Sequence, residues 1–333
     1  MKYVHRASNP LRTAYSGRIH DDPDGQAMDT PWFAKRPVSE VRPGDHGWLA
    51  YTGFEERDRV IGPFVREGLA TNEKVVYVTD APADRLPGLG DGTVDVAAVQ
   101  RSHQLRVISR REACLNRGGA FEPTMMLDTI AHEVDAAFEQ GFRAVRLTTD
   151  YSWLLNDPGV ADLPRVLGCE HRVGDAVSPS TMAMAVCQID RHACPPDQLA
   201  ALRDTHEVLV EIDPEYEDNV LRIVRTFEPD GLRIEGELDA ARHTAFDEKL
   251  TLVSTGPDGR RRGVHLDVSR LRFIDLRGLH LLVRHAVALD GDEALVLDGL
   301  QPEVENVIEM VGWHRLPGVT RGRARVPETE DLP

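Results

Sequence analysis

Apolar positions along the chain alternate between short continuous runs and helically spaced stripes, beginning near residue 47. Gly47-Trp48-Leu49-Ala50-Tyr51-Thr52 is a run fit for a buried strand. Gly53 and a charged stretch then open a helix with Val60, Phe64, Val65 and Leu69 on one face, ending over 68–72. Lys74-Val75-Val76-Tyr77-Val78-Thr79 is a second β-branched run, and Leu105-Arg106-Val107-Ile108 a third. Leu127, Ile130, Val134 and Phe138 predict another amphipathic helix, stopped by Gly141. Strands follow at residues 144–149 and 182–187. Apolar runs separated by helical stripes are the pattern of a mostly parallel sheet covered by helices on both faces.

Asp213-Pro214-Glu215-Tyr216-Glu217-Asp218 interrupts this pattern, and a different one restarts after it. A hairpin is expected from Leu221 to Phe227 and Leu232 to Leu238, with its turn at Pro229-Asp230-Gly231. Then come a helix bearing Phe246, Leu250 and Val253, a strand at 264–268, and a helix bearing Leu279, Leu282, Val283 and Ala286. A strand at 294–297 and a helix bearing Val304, Val307, Ile308 and Val311 complete a second unit. The reading is therefore α/β throughout, with a flexible tail over 1–43, a first domain over 44–212, a linker over 213–219, a smaller β/α domain over 220–319 and a flexible tail over 320–333.

Length and composition agree with two folded cores: 333 residues, 41% hydrophobic and 28% charged. A formal charge of −16 opposes the phosphate contacts that nucleic-acid binding needs, so no nucleic-acid partner is expected. No apolar run reaches signal-peptide or bilayer-spanning length, so the expectation is a cytoplasmic protein without a membrane. The four cysteines, Cys114, Cys169, Cys187 and Cys194, form no CxxC pair and are expected to be buried thiols. The 13 histidines include no HExxH or HxH, and neither GxSxG nor GxxxxGK[ST] occurs, so no metal, cofactor or catalytic residue is expected. The loop after the first strand, Thr52 to Arg59, carries Glu55, Glu56 and Asp58, which would repel a polyphosphate.

Open α/β sheets bind ligands beyond the carboxyl ends of their strands. Tyr51, Thr52, Asp150, Trp153 and Gln188 stand at such ends, and His46 just before the first strand. Together they are candidates for a pocket with an aromatic wall and a few hydrogen-bonding groups. For each, a purely structural role remains open: Trp153 as a core cap, Asp150 as a helix cap, His46 as a satisfied structural histidine.

Residues 264–279 resemble the strand, turn and helix-start signature of STAS (anti-sigma-factor antagonist) domains, where Asp-Ser-Ser/Thr-Gly opens the helix. Asp275-Leu276-Arg277-Gly278 stands there instead, and Gly236-Glu237-Leu238-Asp239 matches the family's early strand. The resemblance implies a protein partner, an anti-sigma factor or serine kinase-like switch protein, docking on this turn and altering transcription. Leu276 has no hydroxyl where the family's phospho-acceptor would be, so no phosphorylation is expected there. Asp275 is expected to cap the helix.

The first domain resembles the MEDS family of bacterial and archaeal sensory domains. The matching residues include Gly44-Asp45-His46, Tyr51, Pro63-Phe64, Gly68-Leu69, residues 72–79, Arg146 to Trp153, Cys187 to Arg191 and Leu202 to His206. This implies a degenerate RecA/KaiC-like fold and a small organic ligand. The combined expectation is a bacterial signalling regulator that senses a small molecule and answers through its STAS-type domain. A non-sensing scaffold or homo-oligomer and, more remotely, a nucleotide-dependent enzyme stay open.

Overall fold

The computed structural model describes residues 34–322 except 91, 157–158, 290, 292, 311 and 313–317, and the side chains of 155–156. The first part is a seven-stranded sheet of β1 (Ala34–Pro37), β2 (His46–Tyr51), β3 (Lys74–Val78), β4 (Leu105–Ile108), β5 (Val145–Asp150), β6 (Ala183–Asp190) and β7 (Val208–Glu211). Every pairing in it is parallel, in the order β1-β7-β2-β6-β5-β3-β4. The connections carry α1 (Phe54–Ala70), α2 (Val96–Arg101), α3 (Arg110–Cys114), α4 (Pro123–Glu139), α5 (Ser152–Asn156), α6 (Leu163–Ala176) and α7 (Pro196–Arg203).

Alternate residues of each strand feed two separate cores, which is why the strands read as unbroken apolar runs. Val75 and Tyr77 join Val60, Ile61, Phe64 and Val65 of α1. Val76 and Val78 join Met126 and Ile130 of α4 and Val166 and Val173 of α6. The α4 stripe is rotated from expectation: Phe138 is 44% exposed, and Met126 and Ala137 are buried instead. Three of the cysteines are buried, Cys194 is half-buried, and all four are free thiols.

The second part is a six-stranded sheet in the order β13-β12-β11-β10-β9-β8, built from β8 (Tyr216–Glu217), β9 (Leu221–Phe227), β10 (Asp230–Leu238), β11 (Val264–Ile274), β12 (Leu295–Asp298) and β13 (Val319–Arg321). β8, β9 and β10 are antiparallel, and β10 to β13 run parallel. On one face Leu221, Ile223, Leu232, Ile234 and Leu266 pack with α8 (His243–Val253), α9 (Leu276–Val287) and α10 (Pro302–Met310). The alternate positions, among them Arg222, Val224, Arg233, Glu235, His265 and Asp267, lie on the other face. The fold class is thus the expected one, a mostly parallel α/β sheet domain followed by a smaller β/α domain.

Several stretches expected to be loose are built into the sheets. Residues 1–33 of the expected N-terminal tail lie outside the described residues, but Ala34–Pro37 pair with Val208–Glu211 as the edge strand β1. Tyr216 and Glu217, expected in the linker, pair with β9. Val319–Arg321 extend the second sheet beside β12 where the C-terminal tail was expected to begin. Backbone groups that pair with a neighbouring strand are satisfied there, which fixes short polar segments lacking an apolar pattern. Val311 of the last expected helical stripe and residues 323–333 lie outside the described residues.

Candidate functional site

At the carboxyl ends of β2, β5 and β6 the structure brings together three of the six expected site residues. The Tyr51 hydroxyl donates to Asp150 Oδ2 at 2.9 Å, and the Ser152 amide and hydroxyl donate to Asp150 Oδ1. Ser152 Oγ in turn accepts from the Asp190 amide at 2.7 Å, stitching β6 to α5. Gln188, fully buried, donates to Thr148 Oγ1 at 2.7 Å. Burial and the adjacent Asp150 charge push the Tyr51 phenol up to about 12. Asp150 therefore serves the α5 start as a cap. The adjoining void, lined by Val76, Leu147, Thr148 and Cys187, holds only about 20 Å³, too little for an organic molecule.

The other expected residues are placed differently. The Thr52 amide and hydroxyl both donate to Glu56 Oε2, at 2.7 and 2.8 Å, so the protein's own carboxylate occupies the two donors of Thr52. Trp153 lies beneath the Arg110 guanidinium, 5.0 Å from the ring centroid. His46 begins β2, five residues or about 16 Å of strand from Tyr51. It is buried against Glu170, Cys187 and His206, a group the sequence did not expose, because its members stand on four separate elements.

A larger opening lies between the two sheets. This groove, about 1110 Å³, is walled by Leu49, Ala50 and Thr52 at the end of β2, Leu209–Ile212, Leu199 of α7, and the uncovered face of the second sheet. β2 leads to β3 on one side of the sheet while β6 leads to β7 on the other, so the strand order reverses beside the groove. Thr52 is the one expected ligand residue that lines it.

Its charged groups are largely paired already. Arg233 bonds to Glu235 at 2.7 Å and to Glu211 at 3.2 Å, His265 to Asp298 at 2.7 Å, and Arg191 to the Ala50 carbonyl at 2.8 Å. Burial works against the Arg233 charge, but Glu211 and Glu235 outweigh it and keep it protonated.

The two sheets are joined by more than the chain between them. Val224 of β9 is buried in the core that holds Leu49, Phe64 and Val210, and Phe227 packs on it. Glu215 accepts from Arg59 of α1 and lies 3.6 Å from Lys249 of α8.

At the turn before α9, Asp275 caps the helix as expected, accepting from the Gly278 amide at 2.7 Å and also meeting His243 Nε2 at 2.8 Å. Leu276 is 55% exposed, Arg277 is exposed, and Phe273 beside them is 47% exposed.

Residues 45–207 match the family MEDS, the methanogen/methylotroph, DcmR sensory domain, and residues 221–319 match the family described as Mlab, STAS domain. The chain is a MEDS domain followed by a STAS domain. That composition is one of a signalling regulator, and a STAS domain generally mediates protein–protein interaction. No curated protein is significantly similar to the chain. Among solved structures, the flagellar accessory protein FlaH from Methanocaldococcus jannaschii aligns at 11% identity and a TM-score of 0.35, over 56% of this chain and 78% of that one. No described helix is long and apolar enough to cross a membrane.

Proposed function

We propose that this MEDS–STAS protein senses a small, uncharged organic molecule in the groove between its domains and passes the state to a protein partner at the STAS turn. The observation that carries the reading is that both domains line one groove, so an occupant touches both at once. A ligand shifts a conformational equilibrium only through its different affinity for the two states, and a site shared by two domains is where that difference arises. Leu199, Phe227 and Ala50 supply apolar wall, while the pairing of the charged groups leaves little to attract an ion.

The output side is the exposed Phe273, Leu276 and Arg277 beside the Asp275 cap, an apolar and cationic combination suited to interfaces. The partner class is an anti-sigma factor or a serine kinase-like switch protein, with altered transcription in a bacterial cytoplasm as the consequence. Without a hydroxyl at Leu276, occupancy of the groove replaces phosphorylation as the control. No catalysis is proposed: Glu56 places a carboxylate on the Thr52 donors, where a phosphate would be repelled.

The test is a thermal-shift screen of neutral organic compounds on the full chain. A compound at 100 times its Kd stabilises its host by about 2.7 kcal/mol. A shift that Leu199→Glu abolishes supports the reading; no shift from any compound favours a scaffold that senses nothing.

A further inference from the structure

We propose that His46, Glu170, Cys187 and His206 form a structural zinc site inside the first domain. One donor atom from each lies within 4.8 Å of every other, and the residues are 3%, 0%, 3% and 4% exposed. They come from the start of β2, from α6, from β6 and from the turn before β7. Three of the separations between them resemble the edges of a coordination tetrahedron. His46 Nε2 is 3.3 Å from Glu170 Oε2, His206 Nε2 is 3.1 Å from the same oxygen, and Cys187 Sγ is 3.4 Å from His46 Nε2. Zinc bonds of ordinary length give edges of about 3.3–3.6 Å.

Only the Cys187 Sγ–His46 Nε2 pair has hydrogen-bond geometry. Neither Glu170 oxygen, nor His206 Nε2, nor His46 Nδ1 has an aligned hydrogen-bond partner, although all are buried. His206 Nδ1 lies 2.9 Å from the Leu202 carbonyl, which can only accept, and 3.0 Å from Thr205 Oγ1, whose own proton goes to that carbonyl at 2.7 Å, an arrangement that places the ring proton on Nδ1. The Nε2 lone pair then lies 3.1 Å from a carboxylate oxygen. Two acceptors held together in a buried site call for a cation between them. A second-position hydrogen bond that fixes the imidazole tautomer is also the usual support of a metal-bound histidine.

The ligand set names the metal class. Two imidazoles, a thiolate and a carboxylate in a four-coordinate cage suit Zn²⁺, and its two charges are neutralised by Glu170 and Cys187. With four protein ligands no position is left for substrate, so the ion ties α6 to the sheet and performs no chemistry. The site is independent of any ligand in the groove.

The test uses the purified full chain, stripped with a chelator and titrated with Co²⁺ and then Zn²⁺. Expected are one equivalent of Co²⁺ with the strong visible bands of tetrahedral cobalt and a thiolate charge-transfer band, displacement by one equivalent of Zn²⁺, and a rise in Tm. Cys187→Ser loses the charge-transfer band, and Cys114→Ser keeps it. Weak octahedral cobalt bands, no stoichiometric binding, or a charge-transfer band that survives Cys187→Ser would overturn the proposal. Should Cys187→Ser fail to fold, zinc-edge X-ray absorption of the unaltered chain decides: one sulfur at about 2.3 Å supports the site, and a shell without sulfur refutes it.

Discussion

The Arg233 guanidinium of the STAS sheet reaches the Glu211 carboxylate, at the end of the last strand of the MEDS sheet, at 3.2 Å. Both side chains are about four-fifths buried, 16% and 20% exposed, so the pair is shielded from the screening that makes surface bridges weak. Arg233→Ala leaves Glu211 with Arg222, 3.8 Å away, as its one cationic partner among the described residues. The expected cost is about 1–3 kcal/mol, read from urea unfolding of the full chain.

Val224 makes a complementary prediction, because it belongs to the STAS strand β9 by sequence and to the MEDS core by packing. Val224→Ala removes two methyl groups from a fully packed site, for an expected loss of about 2 kcal/mol. The loss should appear in the MEDS domain's own unfolding, followed by the fluorescence of Trp48 and Trp153. A transition that leaves their signal unmoved would show that β9 does not support that core.

Alkaline titration tests the Tyr51–Asp150 pair. The folded phenol is pushed up to about 12 from an ordinary 10.0, first by burial and then by the Asp150 charge. A group whose folded pKa is raised contributes stability that is complete below the unfolded value and is lost as pH rises toward the folded one. The chain should therefore lose stability between about pH 10 and 12, and Tyr51→Phe should lose less over that window. Stability measured by denaturant at successive pH values gives the comparison.

The STAS turn separates packing from recognition. Asp275→Ala removes the α9 cap and should cost about 1 kcal/mol in a thermal or urea melt. Leu276→Glu alters a side chain that is 55% exposed and should stay within about 0.5 kcal/mol of the unaltered chain. If Leu276 docks a partner, affinity falls while stability holds.

What was readable in the sequence was what local pattern encodes. The unbroken run Lys74 to Val78 announced a strand buried on both faces, and Val75 and Val76 are indeed packed on opposite sides. β1 was not readable: Ala34-Lys35-Arg36-Pro37 has no apolar alternation, and its partner, Val208–Glu211, lies some 170 residues away. Tyr51, Asp150 and Gln188 could be placed at one sheet edge, but not their hydrogen bonds to Ser152 and Thr148. The groove escaped notice because half of it belongs to the polar face of another domain. His46 was singled out at the correct strand for the wrong neighbourhood. Its companions Glu170 and His206 carry no spacing signal, since four elements meet only once the sheet is assembled.

One occupant of the groove should be felt by both domains. Hydrogen–deuterium exchange of the full chain, with and without a compound that raises its Tm, tests this most directly. Added protection is expected in residues 208–212 and in 221–238 together, with altered exchange at the 275–279 turn. Protection confined to the MEDS sheet, with the STAS strands and turn unchanged, would contradict it.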